Sequence, residues 1–173
     1  MKHLKILASI LTCQLLSSAT YSLAEPSGDS TYIDINSCND LQNISQADGH
    51  YQLTNDIDCS GVTFTPLIFP SQTNSSGPFT GVFNGNHYSV VNLALSTESS
   101  SLALFSSSYG AEFSNLTLEN ITAQALPFDY NSKAAALVSN ANATSFSNIM
   151  VRNVKLRANQ MGTIAAYADV SED

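Results

Sequence analysis

From residue 25 to residue 132 the chain contains no lysine and no arginine. Proteins neutralise a phosphate backbone with those two side chains, so their absence excludes ordinary nucleic-acid binding. Past the first 24 residues the cations are Lys133, Arg152, Lys155 and Arg157. These four stand against 14 acids, a net charge of −10 for residues 25–173. Such acidity favours solubility and names no partner. Long apolar runs are equally scarce. The run over residues 6–16 is shorter than the about 20 residues a bilayer span needs, and no second run follows. No membrane span is therefore expected in the mature chain. The chain also lacks H-E-x-x-H, a phosphate loop and a nucleophile motif. Past residue 24, Cys38 and Cys59 make no recognisable zinc spacing with His50 and His87. No catalytic, cofactor-binding or metal-binding residue is expected.

What is present begins with an address. Lys2 and Lys5 precede the apolar run, and Ser22-Leu23-Ala24 offers small residues at the first and third positions before a break. This is the pattern of a signal peptide cleaved after Ala24, so the protein is expected to be secreted, periplasmic or on the cell surface. Residues 25–31 read as a flexible leader. Residues 32–173 form one domain, with an N-terminal cap over about 32–78 and repeats over about 79–173. Cys13 leaves with the signal peptide. Cys38 and Cys59 remain as an even pair in an exported chain, and a disulfide between them is expected. Closing a loop of about 20 residues contributes on the order of 3 kcal/mol in the chain-entropy description.

In the cap, Tyr32, Ile33 and Ile35 suggest a short strand. Ser37 with Asp40 is a helix-capping pair, and Leu41 and Ile44 form the inner face of a short helix ending near Ala47, before the Asp48-Gly49 turn. Tyr51-Gln52-Leu53 begins a strand. Asp56 and Asp58 could share a face, as a calcium site or an acid/base pair would require. The plainer reading, carboxylates satisfying turn backbone groups, is preferred. Residues 61–78 read as an extended strand and an exposed loop. Phe79, Gly81 and Phe83 alternate. Asn84-Gly85-Asn86 then reads as a tight turn with Gly85 at positive φ.

The remainder is repetitive. Val90-Val91-Asn92-Leu93-Ala94-Leu95, Phe113-Ser114-Asn115-Leu116-Thr117-Leu118 and Phe146-Ser147-Asn148-Ile149-Met150-Val151 share one pattern: apolar, variable, Asn, apolar, variable, apolar. A second element, Ala103-Leu104-Phe105-Ser106, matches Ala136-Leu137-Val138-Ser139 and more loosely Thr163-Ile164-Ala165-Ala166. Phe113 to Phe146 is 33 residues, as is Leu104 to Leu137, while Val90 to Phe113 is 23. The extra length sits at residues 121–133. Short strands in fixed register with variable loops point to an all-β, parallel β-helix (solenoid) with a small N-terminal cap containing one short helix. Leu93, Leu116 and Ile149 are expected to stack inward, as are Leu95, Leu118 and Val151. Asn92, Asn115 and Asn148 are expected to form a structural ladder, with Asn120 and Asn153 in a second row.

The stretch from Tyr51-Gln-Leu-Thr-Asn-Asp-Ile-Asp-Cys59 through Pro66 to Phe79-Thr-Gly-Val-Phe-Asn-Gly-Asn-His-Tyr-Ser-Val-Val-Asn-Leu93 resembles the opening of bacterial exported proteins with GLUG-type repeats. The resemblance covers about residues 31–168. Where that family has Gly-Leu-aliphatic-Gly, this chain has Ala136-Leu137-Val138-Ser139 and Leu104-Phe105-Ser106. It implies a right-handed β-helix of pectate-lyase-like outline in a secreted or surface protein, often adhesin-like. It supplies no catalytic residue.

The function expected is therefore a non-catalytic, adhesin-like module that binds a glycan or a protein. Tyr109, Tyr130 and Tyr167 are candidate ligand contacts, with Phe128 as a packing residue. The alternatives are a polysaccharide lyase or hydrolase, and a structural fragment of a larger exported protein. An enzyme of that outline would cluster acids and bases. Arg152, Lys155 and Arg157 instead look split, because Lys155 and Arg157 share strand parity with Asn153. His87 reads as an exposed turn residue. Adding the 8-residue offset to Ala165 reaches Asp173, so the chain stops where a further strand is due. The chain is therefore expected to be a fragment or truncated relative, or to have that incompletely capped end covered by a partner. Sequons lie at Asn43, Asn74, Asn115, Asn120 and Asn142. Glycosylation at Asn115 would conflict with a ladder, which favours a bacterial source.

Overall fold

The computed structural model describes residues 31–71, 76–97, 100–125 and 130–169. The expected signal peptide, most of the leader, Asn74, Phe128 and the last four residues lie outside the described residues. One helical turn apart, the described chain is all-β.

The cap starts with β1 (Ile33–Ile35) and α1 (Cys38–Gln42). The Ser37 hydroxyl accepts the Asp40 N–H at 3.1 Å and donates to the Asp40 carboxylate at 2.8 Å, which starts the helix. The helix ends at Gln42 rather than near Ala47. Asn43 leaves helical geometry at φ −94, ψ 11. Beyond it, the Tyr51 hydroxyl bonds both the N–H and the carbonyl of Gln46, which holds that stretch as a loop. Cys38 opens α1 and is bonded to Cys59, S–S 1.99 Å, so the helix is tied to the next pass of the chain.

That pass contains β2 (His50–Leu53), β3 (Ile57–Asp58) and β4 (Thr63–Phe64), followed by an antiparallel pair, β5 (Phe69–Pro70) and β6 (Ser76–Gly77). The following pass contains β7 (Val82–Asn84), β8 (Ser89–Val91), β9 (Ala94–Thr97), β10 (Ser101–Leu102) and β11 (Phe105–Tyr109). Then come β12 (Glu112–Ala125), β13 (Lys133–Ala135), β14 (Val138–Asn142), β15 (Ser145–Arg157), β16 (Gln160–Gly162) and β17 (Ala165–Asp169). Apart from β5 and β6, every pairing is parallel. The first sheet carries β1-β2-β7-β12-β15 in one column, with β3-β8 and β4-β9 alongside the later parts of β12. The other sheets run β10-β13-β16 and β11-β14-β17. Phe113 pairs with Phe146 and Phe105 with Val138, each at a 33-residue offset. The extra length is narrower than 121–133, because β12 stays paired through residue 124.

Asparagine explains how a 14-residue strand such as β12 turns corners. Asn92, Asn115, Asn120, Asn148 and Asn153 all have φ between 49 and 58. Asn enters this left-handed region at lower cost than other residues with a Cβ. Each such corner interrupts the alternation of side chains. In β12 the inward residues are Phe113, Leu116, Leu118, Ile121 and Ala123, all 1% exposed or less. Their spacing of 3, 2, 3, 2 follows from the corners at Asn115 and Asn120. The motif that the sequence shows three times therefore occurs twice per pass, since Leu118-Glu119-Asn120-Ile121 and Val151-Arg152-Asn153-Val154 are further copies.

This corrects the expected register. Val90 pairs with Leu118, and Leu95 with Ala123. Leu93 and Leu95 are buried, but one corner later than Leu116 and Leu118. Asn92 accordingly belongs to the row of Asn120 and Asn153, not to that of Asn115 and Asn148. The displacement originates at Asn86 and His87, both at positive φ. They stretch the interval from Phe83 to Val90 to seven residues, where Phe113 to Leu118 takes five. Gly85, in contrast, is not at positive φ. Glycine is needed there because a Cβ would come within 2.4 Å of the Asn115 carbonyl oxygen.

The 61–78 segment is also more than an exposed loop. Phe64, Leu67 and Phe69 are buried. Phe69 packs with Phe79 and Phe105 at ring separations of 5.5 and 6.4 Å, and Phe83 and Phe113 complete the cluster. Short polar residues around these aromatics conceal a core segment.

Two substitutions test the corners. Asn115→Ala loses the left-handed preference, worth about 1–2 kcal/mol, and its amide bonds, about 1 kcal/mol each. Asn115→Gly loses only the bonds, so urea unfolding should rank wild type, Gly, Ala in falling stability. Ala143 sits at φ 46, one pass after Gly110 at φ 61. Ala143→Gly should leave the fold intact and raise stability by about 1 kcal/mol in the same assay.

Candidate binding surface

Two rows of side chains line the Asn corners. In the first, Asn115 Nδ2 donates to Asn84 Oδ1 at 3.2 Å, and Asn148 Nδ2 donates to Asn115 Oδ1 at 3.0 Å. In the second, Asn92 donates to Asp58 at 2.9 Å, Asn120 to Asn92 at 3.1 Å, and Asn153 to Asn120. The rows connect neighbouring strands and leave little amide chemistry free for a ligand.

The two aspartates are engaged in turns. Asp56 accepts the Ser89 N–H at 2.8 Å. Asp58 accepts the Ser60 N–H at 2.8 Å in addition to the Asn92 amide. The Asn92 hydrogen bond, then that of Ser60, holds the Asp58 carboxyl below the usual carboxylate range. Among the described residues, no group of three His, Cys, Asp or Glu side chains is placed to hold a metal ion. His87 is exposed, with Nδ1 at 3.5 Å from Asn148 Nδ2.

Arg152, Lys155 and Arg157 are all exposed. Lys155 and Arg157 alternate outward with Asn153, as expected, and Arg152 is exposed beside it because Asn153 is a corner at φ 49. The alternation restarts after it, with Val154 and Leu156 packing on the core and Lys155 and Arg157 turned outward. The three cations still lie on two facets, one on each side of that corner.

The strongest concentration of unlike chemistry lies on the β11-β14-β17 sheet. Ser107, Asn140 and Tyr167 are in register across its three strands, and Tyr109 is level with Asn142. Phe105, Val138 and Ala141 point into the core, and Ser108 is held inside by Thr144 at 2.8 Å. The outward positions are left to polar and aromatic side chains. Tyr109 is 61% exposed and Tyr167 48%. Lys133, entering from β13, lies 5.1 Å from the Tyr167 ring centroid and donates to Asn140 Oδ1. An exposed cation–π contact of this kind contributes about 0.5–1 kcal/mol and fixes the ring's orientation. The sheet thus brings Tyr167, Lys133 and Asn140 together, with Tyr109 on the far strand. Tyr130 is not part of this group as described. It sits in the turn before β13 with its side chain 90% exposed, and its carbonyl accepts the Asn159 amide at 2.7 Å. Lys133 and Asn140 were missed in the sequence. The slot shared by Val138 and Ala165 could have found Asn140, since it places Asn140 opposite Tyr167.

No family model matches the chain, and no curated protein and no solved structure matches it. No helix among the described residues is long and apolar enough to cross a membrane. The Cys38–Cys59 bond fits an exported protein.

Replacing Asn92 by Ala removes the largest cause of the Asp58 shift. A carboxyl with a lowered folded-state value stabilises the fold above the ordinary carboxylate range and loses that contribution as pH falls through the folded value. Carboxyl NMR titration should therefore find Asp58 titrating at higher pH in Asn92→Ala, and the variant should lose less stability on acidification than wild type.

Proposed function

We propose that this chain is an exported, adhesin-like binding module of the GLUG-repeat kind. In this reading it winds as a right-handed parallel β-helix behind its small cap and holds a glycan on the β11-β14-β17 face. The winding is supported by parallel pairing in three sheets, at offsets of 27 to 33 residues from β2 onward. The handedness follows the strong preference of parallel crossovers for the right hand.

One observation carries the ligand: exposed Tyr167 has Lys133 over its ring and Asn140 beside that lysine. The ring can stack on the C–H face of a sugar, the amide can bond hydroxyls, and the ammonium can meet a carboxylate. Tyr109 lies two strands and two residues away. At about 4.8 Å per strand and about 3.3 Å per residue, the two tyrosines are separated by about 12 Å. That distance suits an oligosaccharide better than a single ring.

Tyr167→Ala and Tyr109→Ala should each weaken an oligosaccharide found by glycan array about tenfold, or about 1.4 kcal/mol by calorimetry. Far-UV circular dichroism should stay unchanged. A blank array, or binding indifferent to both variants, contradicts the assignment.

A further inference from the structure

The two asparagine rows end on different side chains that make the same bonds. Asp58 ends the second row. Its Oδ1 accepts the Ser60 N–H, two residues on, at 2.8 Å and the Asn92 amide at 2.9 Å. Asn84 ends the first row. Its Oδ1 accepts the Asn86 N–H, two residues on, at 2.9 Å and the Asn115 amide at 3.2 Å, with the Ser114 hydroxyl at 3.5 Å. The registers match as well. Asp58 pairs with Val91, the residue before Asn92, and Asn84 pairs with Ser114, the residue before Asn115. The Asn84 Nδ2 donates to no described residue, so the position is used as an acceptor alone.

Asn84 is also the one asparagine of the chain that is followed by glycine. Glycine leaves its amide nitrogen unhindered. That nitrogen can attack the side-chain carbonyl carbon of Asn84 and expel ammonia, which carries off the Gly85 amide proton. Water then opens the cyclic imide at one carbonyl or the other, giving aspartate or isoaspartate. At the corners Asn92, Asn115, Asn120, Asn148 and Asn153 the next residue is Leu, Ile or Val, whose branched side chains crowd the same attack. The fold hinders it at Asn84 too. Gly85 is buried, its N–H is held by the Ser114 carbonyl at 2.7 Å, and its own carbonyl is held by the Tyr88 N–H at 2.8 Å. The turn must open before the nitrogen is free to react.

We propose that Asn84 is a deamidation site, open in the unfolded chain and closed in the folded one, and that the fold accepts the aspartate product but rejects isoaspartate. A carboxylate at position 84 keeps both bonds, as Asp58 does in the other row, and bonds to a charged acceptor are the stronger kind. Glu112 and Asp34, which flank the position on the same sheet, are exposed and lie about 8 and about 10 Å away by residue and strand spacing, so salt screens their repulsion. Isoaspartate instead adds a carbon to the main chain before Gly85. Asn84 is paired on both sides, with Gln52 and Ser114, and a Cβ on Gly85 would already come within 2.4 Å of the Asn115 carbonyl oxygen. The sheet has no room for the added length. None of this depends on what the tyrosine face binds.

The purified protein is aged at mildly alkaline pH with and without urea, refolded, and mapped by peptide mass spectrometry. Isoaspartate methyltransferase labelling separates the two products. In urea Asn84 should lose its amide before any other asparagine, and without urea the loss should be at least about tenfold slower, because opening must come first. The folded fraction recovered by size exclusion should contain the aspartate form and be depleted of isoaspartate relative to the aged chain. The expressed variant Asn84→Asp should keep the wild-type urea midpoint at neutral pH, and its new carboxyl should titrate below the usual carboxylate range by NMR. Asn84→Ala should lower the midpoint. Equal loss from folded and unfolded chains, isoaspartate carried undiminished into the folded fraction, or Asn84→Asp as destabilised as Asn84→Ala overturns the proposal.

Discussion

A left-handed asparagine corner does two jobs that no other residue type here does together. Its backbone bends the strand, and its side-chain amide donates to an acceptor one pass below: the equivalent asparagine for Asn120, Asn148 and Asn153, and the neighbouring Asn84 and Asp58 for Asn115 and Asn92. Asn148 to Asn115 to Asn84 is one row, and Asn153 to Asn120 to Asn92 to Asp58 is the other. A one-residue slip turns every core side chain outward, so burial already resists it. The amide rows add to that resistance, because a slip also breaks their bonds. The phenylalanine cluster then fills the interior that the corners define, from Phe69 and Phe79 to Phe113 and Phe146.

The same constraint sorts the surface. Corner residues and inward residues are committed to the stack, so chemistry that can vary is confined to outward strand positions and to connections between strands. That is where Lys133, Asn140 and Tyr167 meet. It is also why Asp56 and Asp58 are occupied by backbone N–H groups and Asn92, in keeping with the turn role preferred from the sequence. The basic residues beyond residue 24 all lie in the last third of the chain, and Arg152, Lys155 and Arg157 share one strand.

Much of this was legible in the sequence, for physical reasons that can be named. The 33-residue interval between Phe113 and Phe146 is the interval at which β12 and β15 pair, because identical units stack without adjustment. The slot shared by Phe105, Val138 and Ala165 is likewise the observed register. Asn92 was misplaced because the motif recurs at both corners of a pass, and matching copies does not say which corner a copy occupies. The two extra residues near Asn86 and His87 decide it, and they have no distinctive composition. The burial of Phe64 and Phe69 was hidden by the prolines and serines around them. On the candidate surface, exposure of tyrosine could be guessed from outward parity. The approach of Lys133 to Tyr167 depends on β13 lying beside β14 and β17, which no local pattern encodes.

The claim that paired amides hold the register is tested most directly by a double-mutant cycle on Asn115 and Asn148. Glycine is substituted at each position, alone and together, so that the positive φ is retained. Equilibrium urea unfolding should give a coupling energy of about 1 kcal/mol, the value of one net hydrogen bond. Strictly additive losses would mean that the corners act through backbone preference alone, and that the amide rows follow the register instead of setting it.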